Sequence, residues 1–188
     1  MDWKPVARWV SMIGHPFVWL LVYVGVAAFA QLSPGQALWS VGIVLFVSIV
    51  PMTFYLQRLV RSGSTNFDVS HRELRGPVYL FGLGLGLLLL AIFRGLGTPW
   101  GSLRGLIVGI ALVVVASLIN RRLKVSMHSA FAVWVAVGLW PFAPVAAMLG
   151  GLFALVVVWS RLELERHTAG ELVAGTLLGA LMAIPLLL

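Results

Sequence analysis

Cysteine is absent from the chain. That excludes disulfides and thiolate metal sites, and says little about compartment. Charge is scarce too. Lys, Arg, Asp and Glu make up 10% of the 188 residues, against about 25% in an ordinary soluble domain. Only six residues are acidic, and they form no carboxylate cluster of the kind a magnesium site uses. What fills the chain instead is apolar: 61% of residues are hydrophobic and the mean hydropathy is +1.03. One small core cannot bury so much apolar surface. Apolar runs near the roughly 20 residues of a membrane-crossing helix recur along the chain. The expected fold class is therefore all-α, a polytopic transmembrane bundle forming one integral membrane domain. The net charge of +7 does not point to nucleic acid. The basic residues sit in short connections between apolar runs, the pattern of membrane topology and of contact with anionic headgroups.

Residues 1–10 place Lys4 and Arg8 beside Trp3 and Trp9, as an interfacial anchor does. The stretch is not a cleavable signal peptide, because the apolar run after it is too long and lacks a small-residue cleavage site. Spans are expected over about 12–30, 37–59, 78–96, 102–119, 129–139, 145–159 and 169–187, with Pro51 kinking the second. The count is six to seven; residues 1–60 hold the first two and 61–188 the rest. The fifth is too short to cross alone. His15 reads as a residue at the start of the first span. Gly82 and Gly86, Gly101, Gly105 and Gly109, and Gly175 and Gly179 recur at four-residue spacing, which permits close helix approach.

Three polar islands interrupt these runs: 58–76, 120–128 and 160–171. Each is separated from the next by two spans, so all three lie on one membrane face, with the N-terminus. The last island carries the most chemistry. His167 and Glu171 are four apart and share a helical face. A carboxylate on one imidazole nitrogen fixes the tautomer and leaves the other as nucleophile or base. Arg161 offers a planar cationic fork suited to phosphate. In the first island Arg72 and Arg75 are three apart and can converge on one anion. In the second, Ser126 is an expected N-cap, with His128 in the first turn behind it. Glu163, Glu165 and Arg166 read as structural. Each island alone also reads as a solvated basic loop or a helix cap.

Ser160-Arg161, five residues, His167, three residues and Glu171 resemble the third signature of the type-2 phosphatidic acid phosphatase superfamily, which ends in Asp where Glu171 stands. Val125-Ser126-Met127-His128 resembles the second, Pro-Ser-Gly-His, with Ser126 and His128 matching. The first signature is Lys, six residues, Arg-Pro. Here Asp68 stands in place of the Lys, seven positions before Arg75, and Gly76 separates Arg75 from Pro77. Arg72, Arg75 or Lys124 supplies the missing cation, and the sequence leaves that choice open. The resemblance covers roughly residues 60–185.

The resemblance implies a hydrolase that uses no metal or other cofactor. His167 attacks phosphorus, Glu171 orients it, and His128 protonates the leaving oxygen. Arg161, Arg75, Arg72, Lys124 and the Ser126 hydroxyl hold phosphate oxygens. A site at headgroup level in a chain with almost no soluble mass implies a membrane-resident substrate, such as an isoprenoid or polyprenyl diphosphate, phosphatidic acid or phosphatidylglycerophosphate. Eleven of the 13 Lys and Arg fall on the motif face, with only Arg94 and Arg104 opposite. The positive-inside rule then expects a cytoplasmic-facing site in the cell membrane. Two alternatives remain open: a phosphotransferase that passes the group to an alcohol, and a lipid-phosphate binder or transporter without catalysis. Met127, where the signature has Gly, favours the latter.

Overall fold

The structure, a computed structural model, describes residues 2–69 and 72–188, with only the backbone at 72. The described residues are helical and contain no strand. The α-helices are α1 (Lys4–Ile13), α2 (Pro16–Gln31), α3 (Pro34–Val44), α4 (Val50–Arg61), α5 (Arg72–Gly95), α6 (Arg104–Ile119), α7 (Met127–Gly138), α8 (Pro144–Glu163) and α9 (Ala169–Ala183). Among the described residues, five helical segments are long and apolar enough to cross a membrane; α1 and α2, bent by 41° at their junction, form a sixth if taken as one span.

Local chemistry explains the breaks. Pro16 opens α2, and the His15 side chain caps it by accepting from the Phe17 N–H at 3.3 Å. This divides the expected first span: the residues read as an anchor are a helix of their own, ending at Gly14. The expected kink at Pro51 takes another form. Leu45–Ile49 winds as a π-turn and links α3 and α4 into one 28-residue segment. Proline removes one backbone bond and crowds the carbonyl four residues back, and a wide turn relieves that crowding. The expected third span began at residue 78, but α5 starts at Arg72. Pro77 lies inside the helix, in its second turn, where it forgoes the backbone bond to the Glu73 carbonyl.

The short α7 is the hub. Eight of its twelve residues are buried, and it packs against α2, α8 and α9. Trp134, almost wholly buried, lies against Tyr23 with ring centroids 4.8 Å apart. The glycine spacing expected to allow close approach does so on α9. A side chain at Gly175 would run into Ser129 Oγ and the Ser126 carbonyl, and one at Gly179 into the Ala130 backbone. Small residues thus bring α7 and α9 nearly to backbone contact. The outer surface is the reverse of a soluble protein's: Phe46, Phe54, Leu80, Leu152 and Leu155 are exposed.

A candidate phosphate site at one end of the bundle

The three polar connections do meet at one end. The 120–126 connection is clasped to the start of α5 by Arg75, which is buried. Its Nε donates to the Val69 carbonyl at 2.9 Å, and its Nη1 donates to the Val125 carbonyl at 2.9 Å and to Asn120 Oδ1 at 3.4 Å. Lys124 Nζ donates to the Arg166 carbonyl at 3.0 Å, joining the second connection to the third. Burial, then the neighbouring Arg75, lowers the Lys124 pKa.

The third connection supplies the candidate nucleophile. His167 Nδ1 lies 2.8 Å from Glu171 Oε2. The same oxygen accepts from the Thr168 N–H at 3.3 Å, while Thr168 Oγ1 accepts from the Glu171 N–H. Thr168 and Glu171 therefore form a capping box at the start of α9. That box is legible as Thr-x-x-Glu in the sequence, and the sequence reading passed over it. The longer Glu side chain serves the helix end and the imidazole together. With Nδ1 on the carboxylate, Nε2 is the nitrogen left for chemistry.

His167 is buried, and burial lowers its pKa to about 4; Arg161, Arg75 and Lys124 push the same way, while the Glu171 hydrogen bond opposes them. The imidazole is then neutral and nucleophilic at pH 7. The folded chain takes up this proton less readily than the unfolded chain, whose histidine titrates near 6.5. The associated stability is present above about pH 6.5 and is lost as pH falls through the folded pKa near 4. An NMR titration of the ring signal that disappears in His167→Gln is expected to show a midpoint near 4. A midpoint near 6.5 would contradict this environment.

Arg161 comes from the last turn of α8 and is 1% exposed. Its Nη1 donates to Ser11 Oγ at 2.5 Å, so α1 takes part in the site. Its Nη2 lies 3.2 Å from Asp68 Oδ2. His128 sits in the first turn of α7, as expected, behind Ser126, whose hydroxyl caps the helix by accepting from the Ser129 N–H. His128 Nε2 faces Asp68 Oδ1 at 3.8 Å, beyond hydrogen-bond range. Arg166 Nε approaches Asp68 Oδ2 at 3.6 Å. Arg161 Nε and His128 Nε2 are both buried and have no hydrogen-bond partner among the described residues.

Of the residues singled out in the sequence, His167, Glu171, His128 and Arg161 are brought together. Arg75 and Lys124 border the cluster and tie its loops, and Ser126 is committed to its cap. The Arg72 side chain lies outside the described residues. The sequence reading missed four participants, Ser11 among them. Asp68, noted there only as a departure from a signature, is at the centre. Arg166, read as structural, contacts it. His15, read as a helix-start residue, also stands edge-on to His128 with ring centroids 5.2 Å apart. Its Nδ1 is an acceptor, so the neutral ring carries its proton on Nε2.

Below the cluster opens a cavity of about 1240 Å³, lined mostly by apolar side chains. Asp68, Arg75, His128 and His167 line one polar end, and the lining continues along α5 to Leu96 and on to Thr98, Ser102 and Arg104 at the other. From Arg75 to Leu96 a helix rises roughly 30 Å, about the thickness of a bilayer's hydrocarbon core. Comparison of the chain with protein-family models, with curated proteins and with solved structures finds no match.

Proposed function

We propose that this chain is a multi-pass membrane phosphatase that hydrolyses a phosphomonoester or diphosphate of a lipid through a phospho-histidine. The observation that carries the proposal is that His128, His167 and Asp68 line one end of a long apolar cavity, with Arg161 held behind Asp68 and Glu171 behind His167. The cations suit the phosphate and the cavity suits the tail. Apolar spans and an apolar outer surface fit a bilayer setting, and the excess of basic residues at the site end favours the cytoplasmic side.

The reaction runs in two displacements. His167 Nε2 forms a bond to phosphorus while the bond from phosphorus to the lipid oxygen breaks. The electron pair stays on that oxygen, which takes a proton that the phosphate monoanion brings in and His128 relays. Glu171 accepts the Nδ1–H hydrogen bond and stabilises the cationic phospho-imidazole. Water then attacks phosphorus, His128 takes its proton, and the N–P bond breaks to regenerate His167. Arg161 stabilises the equatorial oxygens, where the charge of phosphoryl transfer resides. No step requires a metal ion.

The test is phosphate release by the purified chain in detergent with EDTA present. The substrates are farnesyl diphosphate, a long polyprenyl diphosphate, phosphatidic acid and phosphatidylglycerophosphate. Release from at least one, undiminished by EDTA, is expected. Release from none by the folded protein would overturn the hydrolase reading in favour of binding or transport. Transfer of labelled phosphate to an added alcohol, in preference to water, would make it a transferase.

A further inference from the structure

Asp68 stands where a bound phosphate belongs. One carboxylate oxygen is 3.2 Å from Arg161 Nη2 and 3.6 Å from Arg166 Nε, while the other faces His128 Nε2 at 3.8 Å. These are the groups that would hold and protonate a phosphate ester. The placement is built into the backbone. Val69, the next residue, is β-branched yet adopts φ 48°, a region such residues rarely enter. Its side chain is buried, and its carbonyl is held by Arg75 Nε at 2.9 Å. The chain thus turns in a costly conformation that delivers the carboxylate inward.

We propose that Asp68 is a built-in competitor for phosphate, and so the residue that restricts this site to phosphates borne on long apolar tails. This rests on the anion site of the hydrolase reading. A carboxylate and a phosphate dianion cannot share the Arg161 fork, because like charges at that distance repel. Binding is therefore an exchange. Inorganic phosphate or a small soluble ester replaces one anion–guanidinium contact with another and gains little. A lipid phosphate makes the same exchange and also buries its tail in the adjoining cavity, one polar end of which Asp68 lines. Apolar burial scales with tail length, so the tail supplies the driving force that the headgroup lacks. After hydrolysis the tail no longer holds the phosphate, and the carboxylate returns and expels it. Selectivity for lipid and release of product follow from one side chain.

The experiment uses the full chain in detergent, wild type and Asp68→Asn, with Asp68→Ser as a second variant should the first fold poorly. Binding of inorganic phosphate is measured by calorimetry, and kcat/KM is measured for phenyl phosphate and for a long-chain phosphatidic acid. Removing the charge is expected to tighten inorganic phosphate binding by about tenfold or more, and to raise the phenyl phosphate to phosphatidic acid ratio of kcat/KM by a similar factor. Phosphate binding that is detectable in wild type and unchanged or weaker in the variants would overturn the competitor while leaving the anion site standing. Phosphate binding by neither protein would overturn both. Tighter phosphate binding by variants that hydrolyse neither ester would support the competitor and count against the hydrolase.

Discussion

Replacing His167 with alanine is expected to lower lipid phosphate release by on the order of 10³-fold or more, since a covalent route loses its nucleophile and retains only binding and electrostatics. The fold is expected to survive. The only hydrogen bond the His167 side chain makes among the described residues is to Glu171, and that carboxylate keeps the Thr168 N–H as a partner. The α9 capping box therefore persists. Thermal unfolding in detergent, run beside the release assay, separates the two effects. A mutant that unfolds at the wild-type temperature and releases phosphate within a few fold of wild type would remove His167 from the chemistry.

Arg161→Ala carries the second large effect, and it is of two kinds. A single electrostatic contact to a transition state contributes about 10²- to 10³-fold in turnover. Arg161 is also 1% exposed and joins Asp68 to Ser11, so its loss leaves the Asp68 carboxylate short of its nearest cation. Breaking a buried ion pair from one side costs about 3–5 kcal/mol. Both activity and unfolding temperature should fall. Asp68→Asn in the same background should recover part of the stability, because the orphaned charge is gone, and none of the activity. Arg161→Lys keeps the charge without the fork. It cannot reach Ser11 and Asp68 with the same geometry, so most of its activity should be lost. Recovery of activity in the double mutant would contradict the assignment of Arg161 to the phosphate.

Much of this arrangement was legible from spacing alone. Parity across apolar runs brought residues 68, 128 and 167 to one end of the bundle before any contact was known. His167 and Glu171 do meet, though not on one helical face: His167 precedes the Thr168 cap, and the hydrogen bond forms across the start of α9; Ser126 gave the start of α7. The glycine pair on α9 announced its approach to α7. What was not legible has physical causes. The inward turn of Asp68 depends on a left-handed conformation at Val69, which no propensity favours. His15 lies far from His128 in the chain, and the packing of α2 against α7 brings the rings together. Ser11 was not singled out in the sequence, yet it meets Arg161 because α1 packs along α8. The π-turn before Pro51 shows that a proline signals a disturbance without specifying where the helix absorbs it.

The central claim is a covalent bond between phosphorus and His167 Nε2. The most direct test is to mix the enzyme with lipid phosphate labelled at phosphorus, quench within one turnover in alkali, where phospho-histidine survives, and map the label by peptide. Label is expected on the peptide containing His167. It should be lost on acid treatment and absent from His167→Ala. Phosphate release at the wild-type rate with no label on the protein, or with the label on another residue, would contradict the account.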